Sequence, residues 1–190
     1  RGEAEVIITG GYEAPLRPIY YAGFSAMKAL ASHEDPTKAL RPFDANRNGF
    51  ILGEGAGILI LESLRHARER NAQIYAHWLG SGTANDAYDM VAADDNGQGI
   101  GEAMESALNR AHRNTDQIDY INAHGTSTPL NDRVETSAIN RIFQSDAKKL
   151  MISSTKSMHG HMMGAAGAVE AAICALVCRD GIIPPTINYE

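Results

Sequence analysis

Leu150-Met151-Ile152-Ser153-Ser154-Thr155-Lys156 and, a few residues on, Met162-Met163-Gly164-Ala165-Ala166-Gly167-Ala168-Val169-Glu170-Ala171-Ala172 decide how this chain folds. The first run begins apolar and short, as a buried strand does, and Lys156 closes it. The second continues to Arg179 as a helix built from small residues. Gly and Ala offer little bulk, so this helix can approach other backbones closely and is expected deep in the protein. Working outward, Tyr120 to Ala123 is a second strand and Asp132 to Phe143 a helix between the two. Gly99 to Arg113 carries apolar residues at Ile100, Met104, Ala107, Leu108 and Ala111, the spacing of a helix with one buried face. Nearer the start, Glu5 to Thr9 reads as a strand stopped by Gly10-Gly11, and Phe24 to His33 as a helix ended by Asp35-Pro36. Arg41 to Gly49 is a loop, Gly57 to Leu61 a strand, Glu62 to Asn71 a charged helix, and Ile74 to Thr83 a strand. Ile182 to Asn188 closes the chain as an extended piece held by Pro184-Pro185. Strands that are apolar throughout, alternating with helices over short connections, predict an α/β layered sheet covered on both faces. No repeat, low-complexity tract or Pro/Ser linker divides the chain, so residues 1–190 read as one domain.

Composition sets the outer bounds. The 190 residues are 44% hydrophobic and 21% charged, which excludes a disordered tail or a disulfide-stapled miniprotein. The charge is 17 − 23 = −6, with no Lys/Arg block, so a nucleic-acid backbone finds no electrostatic partner. The longest apolar stretch, Ala171 to Cys178, is far too short to cross a bilayer, and no membrane association is expected. Cys174 and Cys178 lie four apart on one helix face, poor geometry for a disulfide, and read as buried reduced thiols. That fits the cytoplasm, with an organelle matrix or plastid as the other setting. The chain starts at Arg1 without Met, which suggests a removed N-terminus or a piece of a longer polypeptide.

Few segments carry chemistry. Gly53-Glu54-Gly55-Ala56-Gly57 is not a dinucleotide loop, because it runs into a strand and does not open a helix. His33, His66, His77 and His112 have no partner motif. His124 differs: it ends a buried strand and precedes Gly125-Thr126-Ser127-Thr128-Pro129, which suits either ligand contact or a satisfied structural histidine. His161 is expected at the N-terminus of the small-residue helix, where the macrodipole disfavours the imidazolium. Two neutral imidazoles at adjacent strand ends can aim N–H groups at one oxygen, an oxyanion trap. His159 and His161 two apart, without an acidic or thiol ligand nearby, make a weak metal site, and no metal is expected. Lys156 at the end of a buried strand needs a counter-charge, and Glu170 fourteen residues on can supply it, either as a structural pair or as one that orients His124.

Three linked motifs now resemble a known family. Arg41-Pro42-Phe43-Asp44-Ala45-Asn46-Arg47-Asn48-Gly49-Phe50 with Gly53 to Gly57 is the first, and Asn122-Ala123-His124-Gly125-Thr126-Ser127-Thr128-Pro129 the second. Ser154-Thr155-Lys156-Ser157-Met158-His159-Gly160-His161 with Gly164 to Glu170 is the third. Together they look like β-ketoacyl-[acyl-carrier-protein] synthases, the elongating synthase II type above all, with polyketide ketosynthases next. The resemblance implies a thiolase-like αβαβα sandwich, a homodimer, and decarboxylative Claisen condensation of an acyl chain with malonyl-acyl carrier protein. No cofactor is implied, because the substrate arrives on the phosphopantetheine of the carrier. By the same resemblance His124 and His161 hold the malonyl thioester oxygen, Lys156 pairs with Glu170, and Thr126 and Thr128 bind the pantetheine arm. Lys28 helps dock the acidic carrier, and Asp86 and Asp132 are structural.

The resemblance also exposes a gap. The family's nucleophilic cysteine lies upstream of Arg1, its C-terminal glycine-rich loop lies beyond Glu190, and Cys174 and Cys178 fall inside a helix. The expectation is a partial ketosynthase domain, mostly the C-terminal half, that is inactive alone. A non-catalytic ketosynthase-like partner, a chain-length factor or scaffold, is the alternative, although one need not keep His124, Lys156 and His161. A thiolase proper would carry a late second cysteine motif, which is missing from this sequence.

Overall fold

Strand β1 (Val6–Glu13) lies antiparallel to β2 (Gly55–Glu62), from Val6 opposite Glu62 to Glu13 opposite Gly55. The computed structural model describes residues 4–90 and 92–190. β1 runs four residues past its expected end, straight through Gly10-Gly11. The glycines are there for packing: Gly11 and Gly57 are cross-strand partners, and helix α6 (Ala166–Asp180) with the turn before it comes down on both. A Cβ on Gly57 would stand 2.6 Å from the Val169 nitrogen, and one on Gly11 would stand 2.3 Å from the Gly164 oxygen. The close approach expected of the small-residue helix is therefore real. Its depth is not: α6 is half-buried, and Ala166 is its one fully buried residue. It covers one face of β1–β2, and the other face carries exposed Val6, Ile8, Ile58 and Ile60.

The first helix differs most from expectation. Helix α1 spans Pro18–Ala26, not 24–33, with proline in its first turn, where its missing N–H costs nothing. Lys28 adopts a left-handed conformation that stops it, and Leu30 then bridges to Phe50. Asp35-Pro36 starts a short 3₁₀ turn, Asp35 accepting from the Thr37 amide. Helix α2 (Leu64–Glu69) is shorter than expected and capped by Ser63. The expected strand at 74–83 is irregular chain, because no neighbouring strand among the described residues hydrogen-bonds to it. It lies instead along α3 (Gln98–Ala111), with Gly80 and Gly82 against that helix's backbone.

The later half follows the sequence more closely. Strand β3 (Tyr120–Asn122) pairs parallel with β4 (Met151–Ser153), connected through helix α4 (Pro129–Phe143). α3 packs on α4, and Ile139, Phe143 and Leu150 form a core with Met104, Ile118 and Ile121 around it. A second core, Leu40, Phe50 and Leu52, takes Phe24 of α1 and Met163 against it. One element is unforeseen. Lys156 does not end a strand; it opens a single helical turn, α5 (Lys156–His159). His161 does not open α6 either. It bridges Leu52, and a 3₁₀ turn at Met163–Ala165 separates it from the helix. Cys174 is half-buried and Cys178 exposed, both as free thiols, so only the first approaches the buried state expected of the pair.

Candidate active site

Two strand ends and one short helix bring the motifs together. The parallel β3–β4 pair aligns Asn122 with Ser153, so the chains leaving both strands emerge side by side. From β3 come His124 and Gly125; from β4 come Ser154, Thr155 and Lys156. Gly125 has φ +39°, and a Cβ there would meet the Ser154 side chain at 2.5 Å. No other residue lets the two exits lie this close, and Ser154 Oγ uses the gap to donate to the Gly125 carbonyl at 2.7 Å.

The backbone at His124 is held from below by Glu135 of α4. One carboxylate oxygen accepts from the His124 amide at 2.7 Å and the other from the Gly125 amide at 2.8 Å. Glu135 is buried, and burial pushes its carboxyl upward against the pull of those two amides. Asp132, one turn earlier on α4, takes the Ser127 amide at 3.1 Å and the Phe43 amide at 2.8 Å, with Arg47 3.6 Å away. The structural part expected of Asp132 is met in this way, and Asp86 likewise accepts from two loop amides. Glu135 was not singled out from sequence. The available signal was its place three residues after Asp132, on the same helix face, following a strand-end histidine.

The histidines meet edge to face, ring centroids 5.4 Å apart. His161 is fixed from both sides. Its amide donates to the Ile51 carbonyl at 2.7 Å, and its ring lies edge-on to Phe50. Its Nδ1 accepts from the Met163 amide at 3.1 Å, which assigns the remaining proton to Nε2. Desolvation lowers His161 to about 4, with Lys156 and then His159 adding to the effect. His124 is exposed by surface area while protein atoms crowd its ring, and these lower it to about 3, again chiefly by desolvation and then by Lys156 and His161. Both rings are neutral at physiological pH. The reason differs from the one read in sequence: desolvation and Lys156 keep His161 neutral, since it stands apart from the α6 N-terminus.

Lys156 is fully buried and its Nζ is paired with Glu170 of α6. Thr126 and Thr128 share a hydroxyl–hydroxyl hydrogen bond of 2.9 Å, and Thr128 also caps α4 by accepting from the Asn131 amide. His124, His161, Lys156, Glu170, Thr126 and Thr128 thus share one neighbourhood. Lys28 does not join it by direct contact; it is exposed just beyond α1, whose Phe24 packs on Phe50. Among the described residues, no group of three or more His, Cys, Asp or Glu is arranged to hold a metal ion. None of the described helices is long and apolar enough to cross a membrane.

The whole chain is similar to known proteins. Over 191 aligned residues the chain is 49% identical to a 3-oxoacyl-[acyl-carrier-protein] synthase 2 of Rhizobium meliloti (strain 1021), covering 100% of this chain and 45% of that protein. A solved type II polyketide ketosynthase, in complex with its acyl-carrier protein and bound to a hexaketide, superposes with a TM-score of 0.96 at 39% identity. It is covered over 47% of its length, and this chain over 100%. The ishigamide ketosynthase/chain length factor superposes with a TM-score of 0.88 at 40% identity, covering 100% of this chain and 44% of that one. The chain therefore spans about half the length of the relatives it matches, within the thiolase-like fold that ketosynthases share. Residues 1–67 match the N-terminal domain of beta-ketoacyl synthases and residues 75–190 match the C-terminal domain. By these matches the chain belongs to the beta-ketoacyl synthase family.

Proposed function

We propose that this chain is the decarboxylating half of a ketosynthase site, the part that turns malonyl-acyl carrier protein into a carbon nucleophile in fatty-acid or polyketide synthesis. The observation that carries the reading is the pair of neutral imidazoles, one with its proton assigned to Nε2, beside a buried ammonium. When malonyl thioester loses CO₂, the electron pair of the broken C–C bond moves onto the thioester oxygen as an enolate. His124 and His161 donate hydrogen bonds to that oxygen, and each such donor is worth about 2.7–4 kcal/mol in the transition state. Desolvation, with the charge of Lys156 added to it, keeps both imidazoles from protonating, so they remain neutral donors to the enolate oxygen. The enolate carbon then attacks an acyl thioester on cysteine, and the cysteine sulfur leaves as thiolate. Cys174 and Cys178, both inside α6, do not fit that nucleophile.

Thr126 and Thr128 are the proposed contacts for the pantetheine arm. The bond between the two hydroxyls uses one of their two protons, whichever donates, and leaves the other to face a ligand. Exposed Lys28 is the proposed contact for an acidic carrier, a homodimer the expected assembly, and no further cofactor is required. The test is malonyl-carrier decarboxylation by the complete protein. His124→Ala and His161→Ala are each expected to remove it while acyl loading on cysteine survives. Undiminished decarboxylation in either variant overturns the donor roles of the two histidines. A complete wild-type protein that never decarboxylates malonyl-carrier is instead a non-catalytic ketosynthase-like partner.

A further inference from the structure

His159 has no part in the chemistry above, yet its hydrogen bonds reach the segments that carry it. It is the last residue of α5 and half-buried. Its Nδ1 lies 2.8 Å from the Gly160 carbonyl, which can only accept, so the proton is assigned to Nδ1. Nε2 is then an acceptor, 3.2 Å from Thr155 Oγ1. Thr155 is fully buried, and its hydroxyl also receives the Asn122 side-chain amide at 3.2 Å. Asn122 Oδ1 also lies 3.3 Å from Thr155 Oγ1, but with His159 Nδ1 donating to Gly160 the Thr155 proton goes to His159 Nε2, and Asn122 Nδ2 is the donor to Thr155. Asn122 is two residues before His124, Thr155 one before Lys156, and Gly160 one before His161.

We propose that His159 is a positioning residue, whose imidazole braces the Lys156–His161 turn from Thr155, the residue bonded to strand β3, to Gly160 and so sets how His124, Lys156 and His161 stand relative to one another. Both ring nitrogens are committed to protein partners, which leaves none for substrate or metal. Thr155 is the N-cap of α5 but makes no capping bond with its side chain, because the hydroxyl is spent on Asn122 and His159. The Thr155 hydroxyl thus joins the turn to Asn122 on one side and to His159 on the other. On its other side the Leu52 bridge already fixes His161, through bonds of 2.7 and 3.0 Å to Ile51 and Gly53. With His159 removed, that side stays and Thr155 keeps Asn122, but Thr155 and Gly160 lose the ring that spans the turn between them, so Lys156 and the two imidazoles shift relative to one another.

The proposal rests on the decarboxylation reading, and its test separates the two. The complete protein is prepared as wild type, His159→Ala, His159→Asn, which keeps a donor for Gly160, and His159→Gln, which keeps an acceptor for Thr155. Decarboxylation kcat and KM, acyl loading, Tm and the ¹⁵N ring signals of His124 and His161 are measured for each. His159→Ala is expected to lower kcat on the order of 10–100-fold, the cost of a small misplacement, with KM and acyl loading retained and both ring signals moved. The Asn and Gln variants should fall between it and wild type. Unchanged kcat with unchanged ring signals overturns the proposal. So does an equal loss of kcat, acyl loading and Tm, which marks a role in folding alone. If the wild type does not decarboxylate malonyl-carrier, the functional reading fails and the ring signals still decide the positioning: moved supports it, unmoved overturns it.

Discussion

Neutrality is what makes His124 and His161 useful as donors, and it has a measurable sign. Their folded values, about 3 and about 4, lie below the ordinary 6.5 of histidine. The unfolded chain therefore binds more protons at mildly acidic pH, so their contribution to stability is full above pH 6.5 and is lost as pH falls toward 4 and then 3. Glu135 and Asp132 work the other way: burial raises both carboxyls, so their protonation on acidification favours the folded chain. Comparing the complete protein with a His124→Asn/His161→Asn variant isolates the histidines. Urea unfolding at neutral and mildly acidic pH should show a smaller loss of stability on acidification in the variant. In the wild type, decarboxylation kcat should show no protonation step near 6.5. A step there, assigned by NMR to either ring, would mean that the imidazoles are not desolvated as described.

At the scale of elements, one ion pair joins α5 to α6, and its two readings separate by mutation. Lys156 is wholly buried and the Glu170 side chain is 15% exposed, so removing one partner strands a charge. Lys156→Met alone is expected to cost about 3–5 kcal/mol, whereas Lys156→Met with Glu170→Leu should recover most of it. If the pair only supports the fold, the double variant regains decarboxylation together with its Tm; if it sets the imidazoles, Tm returns and kcat does not. The second outcome is expected, because the buried charge of Lys156 adds to the desolvation that lowers both histidines, and the double variant removes that charge from beside their rings. The sequence announced this pair, since a lysine after an apolar run and a glutamate amid alanines each lack a local partner. It announced the His124 and His161 clusters for the same reason, as polar residues at apolar strand ends. It did not announce α5, because a single helical turn has no periodicity to read and owes its shape to Gly160, the His159 bonds and the Leu52 bridge. The first helix had a readable signal in Pro18, outweighed by the helix-forming Ala26, Met27, Lys28, Ala29 and Leu30. The strand expected at 74–83 has the composition of a strand, but a strand also requires a hydrogen-bonded neighbour, which no local pattern reveals. Glu135 had only its spacing from Asp132 to mark it, because its partners are backbone amides, and amides leave no trace in side-chain identity.

At the scale of the molecule, the β1–β2 layer is finished on one side only. α6 covers the face that carries Gly11 and Gly57, while Ile8 and Ile60, cross-strand partners on the opposite face, are 74% and 65% exposed, and Ile58 beside them is 63% exposed. A contiguous apolar face of this kind is a surface that soluble monomers seldom leave open, and a two-stranded ladder with free edges adds unpaired backbone groups. The relatives are about twice as long as this chain. Residues 1–190 prepared alone should therefore bind a hydrophobic dye and elute well above 20.5 kDa. Ile8→Lys with Ile60→Glu puts opposite charges directly across the ladder and should return the isolated chain toward monomer with little dye binding. The same pair introduced into the complete protein should instead destabilise it, because there a charged pair would replace buried aliphatic contacts. An isolated wild-type chain that elutes as a monomer and leaves the dye dark would show that the open face is tolerated in water, and the covering of β1–β2 would then lose its energetic rationale.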